Sequence, residues 1–159
     1  MNNPHLAQLS EAQARFKAVI QALPEARFLE KMSGWSLRDV SAHLIGWNRY
    51  ILDGCRAISA GLAPSYHADA PNDYRHINAE FVSLYAATDR QALMEELDAT
   101  LKTLLEYLRG LAAADWEADH GIEYYRGGRA TIASSVESLA RDYHEHAEEI
   151  EAWAKAGEV

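Results

Sequence analysis

The sequence predicts an all-α fold, a four-helix bundle, and three observations carry that prediction. Four stretches place apolar residues at spacings of three, four and seven, the period of an amphipathic helix. No segment alternates apolar and polar residues long enough to support a sheet, and no internal repeat is visible. The 159 residues, 48% hydrophobic and 25% charged with nine Gly and four Pro, suit one globular domain spanning residues 1–159. A chain of that size can bury a core without disulfides or a structural metal.

The first helix is expected over about residues 4–23, where Leu6, Leu9, Phe16, Ile20 and Leu23 form one stripe and Pro24 ends it. A short loop with Met32, Ser33 and Gly34 leads to Trp35. Ser36 and Asp39 have the spacing of a capping box and open the second helix. Val40, His43, Leu44, Trp47, Ile51, Cys55 and Ile58 share one side of it, and Gly61 and Pro64 close it. Residues 63–73, with two Pro and no periodicity, are expected to form a long crossover loop. A third helix begins near residue 72 with Ile77, Phe81, Leu84 and Tyr85. A capping signal at Thr88-Asp89-Arg90-Gln91 restarts or kinks it, and Leu93, Leu97, Leu101, Leu104, Leu105 and Leu108 carry it to residue 110 or 111. Residues 112–129 form a second long loop, with a short extended piece at 122–125. The fourth helix starts at Thr131 and runs to about residue 154 along Ile132, Val136, Leu139, Tyr143, His146, Ile150 and Trp153. The long connections before helices three and four argue against the simplest up-down arrangement.

Fifteen Lys plus Arg against 24 Asp plus Glu give a net charge of −9, which argues against nucleic acid as a partner, since phosphates select basic surfaces. The N-terminal stretch lacks a basic start and an apolar run, and no segment approaches about 18 uncharged apolar residues, so neither a signal peptide nor a membrane span is expected. The single cysteine, Cys55, suits a reducing compartment, and the expected location is cytoplasmic. Cys55 itself is expected to be a small core residue, because nothing cationic lies near it in sequence.

Seven histidines in an acidic chain direct attention to metals. His43 lies three residues after Val40 and four before Trp47, so its imidazole points inward among apolar neighbours and needs a partner. On the fourth helix, Asp142 and His146 stand one above the other at i and i+4 beside the inward stripe, whereas His144 is roughly 200° away and faces outward or toward an edge. Facing helices that present His43, Asp142 and His146 offer two imidazoles and one carboxylate, a set suited to Zn, Ni, Fe or Mn. The same residues suit a buried His–Asp hydrogen-bond network without metal, and spacing alone does not choose. The acidic run Glu145, Glu148, Glu149 and Glu151 is a solvated face. Gly127-Gly128 between Arg126 and Arg129 is expected to be a flexible turn, with anion binding ahead of the last helix as the other reading. His67, His76 and His120 carry no usable spacing.

The run from Trp35 through Ser36, Leu37, Arg38, Asp39, His43 and Leu44 to Trp47, with Asp142-Tyr143-His144-Glu145-His146 and Ile150 near the C-terminus, resembles the DinB/YfiT-like superfamily, and within it the ClbS/DfsB-type branch of four-helix-bundle proteins. In that superfamily a helix-two histidine joins two histidines at i and i+4 on the last helix to bind a divalent metal, commonly nickel or zinc. His43 and His146 match those positions. Asp142 stands where the first histidine of the pair is expected, and a carboxylate, being harder, shifts preference away from softer metals. The resemblance also implies thiol-dependent S-transfer or isomerisation with low-molecular-weight thiols, protection against a reactive natural product, and a homodimer. It implies no contact with DNA.

Two functions follow as expectations. The first is a metal-dependent small-molecule enzyme, a hydrolase or a low-molecular-weight-thiol S-transferase in detoxification or self-protection. In it Glu149 or Asp142 is a candidate general base and Tyr143 a further candidate catalytic residue. Trp47, Tyr50, Tyr66 and Tyr124, with Tyr125 and Tyr143, would wall the substrate pocket. The second is a metal-free bundle that binds or sequesters a small molecule.

Overall fold

The computed structural model of the chain describes residues 3–157; the first and last two residues of the expected 1–159 domain, and with them the very start of the N-terminal stretch, lie outside the described residues. Five α-helices are present among them: α1 Pro4–Gln21, α2 Leu37–Ser59, α3 Arg75–Leu84, α4 Arg90–Arg109 and α5 Ile132–Ala156. Short 3-10 segments occupy Glu25–Arg27, Ser65–Asn72 and Ala113–Asp115. The extended structure is limited, among the described residues, to isolated bridges between Lys31 and Ser36 and between Glu123 and Arg129.

Each long helix starts where a side chain satisfies its free N–H groups. Ser36 Oγ accepts from Asp39 N at 3.2 Å while Asp39 Oδ2 accepts from Ser36 N at 3.0 Å, the reciprocal pair expected for α2. Thr131 Oγ1 likewise accepts from Ser134 N at 3.0 Å to open α5. The expected third helix is two helices. Tyr85 leaves helical geometry, and Asp89 rather than Thr88 caps α4, its carboxylate accepting from Ala92 N at 2.8 Å. The expected start near residue 72 moves to Arg75, because Pro71 lies in a 3-10 segment and Asp73 and Tyr74 are both left-handed, at φ 54° and 59°.

Helices α1, α2, α4 and α5 close the four-helix bundle, with α5 packed on α1 and α2 and α4 packed on α2 and α1. The consecutive pairs α1, α2 and α4, α5 therefore stand on diagonals. Their connections must cross a bundle end, which accounts for the length of residues 110–131; the connection at 22–36, expected as short, crosses an end as well. The predicted stripes fill the interior: Phe16, Ile20, Leu44, Ile58, Leu93, Leu97, Leu104, Val136, Tyr143 and Ile150 are fully buried. Burying such a side chain contributes about 1.5–3 kcal/mol each before entropy is counted.

The fifth helix, α3, lies outside the ring against α2 and the 65–72 segment. Gly46 permits that approach. A Cβ on Gly46 would fall within 3.0 Å of three Phe81 ring carbons, so the ring sits directly on the α2 backbone. No helix among the described residues is long and apolar enough to cross a membrane.

Candidate functional site

His43 projects from the second turn of α2, and Asp142 and His146 from successive turns of α5. His43 Nε2 meets Asp142 Oδ2 at 2.8 Å, and His146 Nε2 meets Asp142 Oδ1 at 3.2 Å. One potential ligand atom from each of the three lies within 4.8 Å of the others, and among the described residues this is the cluster of His, Cys, Asp or Glu suited to an ion. The two rings stand 5.1 Å apart at 76°, so their Nε2 atoms approach one carboxylate from different directions. Trp35, just ahead of the α2 cap, covers the pair with its ring 5.0 Å from His43 and 6.5 Å from His146.

Burial works to raise the Asp142 carboxyl, but hydrogen bonds from His146 and His43 and their charge outweigh it and hold the group well below the usual carboxylate range. Burial works against charge on His146; its hydrogen bond to Asp142 and the charges of Asp142 and Glu149 outweigh that and raise its pKa. Both shifts favour the charged forms of Asp142 and His146 at their 3.2 Å contact.

His43 and Asp142 face a cavity of about 340 Å³ walled by Trp47, Ile51, Tyr66, Tyr74, Tyr124 and Leu139, with Arg141 and Glu145 also along it. His146 faces a second hollow, bordered by Met32, Ser33, Gly34, Trp35 and Glu149. The three ligand atoms thus sit on the partition between the two. Burial pushes the Tyr66 and Tyr74 phenols above their ordinary range, so both remain neutral hydroxyls.

The structure brings together His43, Asp142 and His146 and places Trp47, Tyr66 and Tyr124 on the cavity wall beside them. It does not bring Tyr50 there. Three residues beyond Trp47, the Tyr50 ring turns against Phe81 at 4.8 Å and borders a separate surface hollow. Glu149 stands behind His146 rather than over the aromatic cavity, its Oε2 3.5 Å from His146 Nδ1. Tyr143 is fully buried, edge-on to Phe16, and donates to Asn48 Oδ1 at 2.8 Å, so its phenol faces the core. Tyr125 is exposed.

His144 turns toward α1, with Nδ1 3.4 Å from Arg15, well away from the cluster. Cys55 is fully buried, and burial pushes its thiol up to about 12, as suits an inert core residue. Gly127 and Gly128 are both left-handed, at φ 91° and 87°, in the tight turn between Glu123 and Arg129, and the flanking arginines pair with Asp73 and Asp119.

Sequence reasoning missed Asn78 and Tyr74. Asn78 Oδ1 accepts from Trp47 Nε1 at 2.8 Å and lies 2.9 Å from His43 Nδ1, on the wall of the same cavity. An amide on a short helix interrupted by loops carries no spacing signal toward α2. Tyr74 is placed by a left-handed backbone that no periodicity marks.

A family model described as the DinB superfamily matches residues 8–150. No curated protein matches by sequence. Among solved structures, the sibling lethal factor precursor DfsB superposes with a TM-score of 0.77 at 15% identity, over 97% of this chain and 95% of that one. The colibactin self-resistance protein ClbS, in complex with double-stranded DNA, gives 0.76 at 13% identity over 95% and 93%. A mycothiol-dependent maleylpyruvate isomerase gives 0.72 at 15% identity over 92% of this chain, which spans only 59% of the isomerase. At these identities the structures show a shared fold. The ClbS complex also means that the fold does not exclude DNA, which corrects the expectation drawn from the family; what remains against nucleic acid is this chain's charge of −9.

Proposed function

The chain belongs to the DinB superfamily, and from that premise we propose that it is a metal-dependent enzyme acting on a small molecule, with transfer or isomerisation assisted by a low-molecular-weight thiol as the reaction. The observation that carries this is the convergence of His43, Asp142 and His146 beside an aromatic cavity. The donor set fits a divalent transition ion, because two imidazole nitrogens and a carboxylate are a common three-ligand set that would leave room for a water or substrate ligand. A bound ion would supply charge that lowers the pKa of a coordinated thiol or water. Zn, Ni, Fe and Mn all suit the set, with the carboxylate favouring the harder ones.

The residues have separable tasks. His43, Asp142 and His146 would hold the ion; Glu149 stands 3.5 Å behind His146, its carboxylate facing the ring nitrogen that points away from Asp142. Trp47, Tyr66 and Tyr124 wall a volume of about 340 Å³, enough for a small apolar or aromatic molecule. The mycothiol-dependent isomerase among the structural neighbours favours thiol chemistry over simple hydrolysis, and the self-resistance protein ClbS favours a self-protection role.

The existing contacts at 2.8 and 3.2 Å around Asp142 favour a second reading, a metal-free binding protein in which both rings satisfy the carboxylate. Elemental analysis of untagged protein, before and after exposure to Zn, Ni, Mn and Fe(II), separates the two. One ion per chain is expected. Absence of any ion after add-back would leave the binding reading in its place.

A further inference from the structure

We infer that Asn78 is a positioning residue that fixes the His43 proton on Nδ1 and so leaves Nε2 as the atom offered to the Asp142–His146 gap. The first step is the orientation of the amide. The Trp47 indole N–H can only donate, and it points at Asn78 Oδ1 from 2.8 Å in a half-buried setting. The oxygen of the carboxamide is therefore the end that faces Trp47; the NH₂ group there would set donor against donor.

The second step follows from that oxygen. His43 Nδ1 lies 2.9 Å from the same Oδ1, which can only accept, so Nδ1 must carry a proton. Asp142 pulls the other way. A carboxylate 2.8 Å from Nε2 would, by itself, draw the imidazole proton to Nε2 and leave Nδ1 bare. Trp47, acting through Asn78, keeps Nδ1 protonated, and an ion entering the site then replaces whatever proton lies between Nε2 and Asp142. This is the arrangement in which a ligating histidine donates its remote N–H to an outer partner.

The third step is placement. Asn78 stands one turn before Phe81, whose ring rests on the bare backbone of Gly46, one residue from Trp47. The docking of α3 through Gly46 thus sets the amide against both rings, which gives the helix outside the ring of four a task at the site.

The inference rests on the metal reading only for its affinity arm, and the test keeps the two apart. In ¹⁵N-labelled, metal-free protein, a long-range ¹H–¹⁵N spectrum should show His43 Nδ1 as a protonated, pyrrole-type nitrogen. Asn78→Asp keeps an acceptor and should preserve that signature. Asn78→Leu removes it, and Trp47→Phe frees the amide to turn over; both should move Nδ1 toward the unprotonated, pyridine-type shift. In a zinc titration, Asn78→Leu should lose about 10–100-fold in affinity while Asn78→Asp stays near the parent protein. A pyridine-type Nδ1 in the parent protein would overturn the inference however the variants fold, as would an Asn78→Leu spectrum and affinity unchanged from it. A pyrrole-type Nδ1 in a parent protein that takes up no zinc would retain the lock and remove the metal reading instead.

Discussion

Replacing Gly46 with Ala sets two physical rules against each other, and the sign of the result decides between them. In a helix interior, Gly→Ala gains about 1 kcal/mol from propensity, so a reading of α2 as an isolated helix predicts stabilisation. The structure predicts loss. The new methyl would lie under 3.0 Å from Cγ, Cδ1 and Cδ2 of Phe81, where carbon–carbon contacts are comfortable only at about 3.5–4.0 Å. Cγ is one bond from the Phe81 Cβ and each Cδ two, so turning the ring about its own axis does not clear the contact; the side chain must leave its χ1 rotamer or α3 itself must move. Overpacking of this kind costs about 1–3 kcal/mol, and a clash with three atoms on a buried ring belongs at the upper end. Subtracting the propensity gain leaves a loss of roughly 2 kcal/mol, which for a domain of this size lowers Tm by roughly 4–8 °C. Thermal melts followed by circular dichroism give the number. The clash also predicts coupling: adding Gly46→Ala to Phe81→Ala should cost less than adding it to the parent protein, because the methyl then fills vacated space. A higher Tm for Gly46→Ala, or strict additivity with Phe81→Ala, would refute the claim that α3 docks through this glycine.

Three further outcomes are expected. In zinc titrations, His146→Ala should abolish binding while His144→Ala leaves it nearly intact, since His144 reaches toward Arg15 on α1; equal losses would show the wrong face of α5 has been assigned to the site. Tyr143→Phe should lower stability by about 1–3 kcal/mol in urea unfolding, because Asn48 Oδ1 loses its buried donor, without changing zinc affinity; lost zinc binding would put the phenol in the site. The pH dependence has two opposed parts. Asp142 is held low, so its contribution to metal-free stability is present above about pH 3.9 and lost as pH falls; His146 is raised, so its contribution is present below about pH 6.5 and lost as pH rises through its raised value. The excess stability over His146→Ala should therefore peak between about pH 4 and 6.5 in metal-free melts, whereas zinc affinity should climb from pH 6 to 8 as the imidazoles shed protons. A stability excess that grows above pH 8 would contradict the ion pair.

What the sequence could reveal about this molecule follows from what spacing encodes. A period of 3.6 assigns each residue an angle on its own helix, and that was enough to place His43 among the inward residues of α2 and to separate His146 from His144 on α5. The cap at Ser36 was legible for the same reason, being an interaction within four residues, whereas Thr131, expected as the first residue of the last helix, proves to be its cap. An angle does not say what an inward residue meets. Tyr143 follows Asp142 directly and turns about 100° further round, into Phe16 and Asn48 rather than the cavity. Tyr50 shares the aromatic character of Trp47 and, like it, meets Phe81, but borders a separate surface hollow. Glu149, one turn beyond His146, lies behind its ring. The restart of the third helix was legible too, in the capping signal at residues 88–91, but the place of Tyr74 at the cavity and the role of Asn78 are further from reach. They depend on where α3 docks, and that docking is set by the absence of a side chain at Gly46, a residue that contributes nothing to a hydrophobic stripe and whose importance appears only when Phe81 is laid against it.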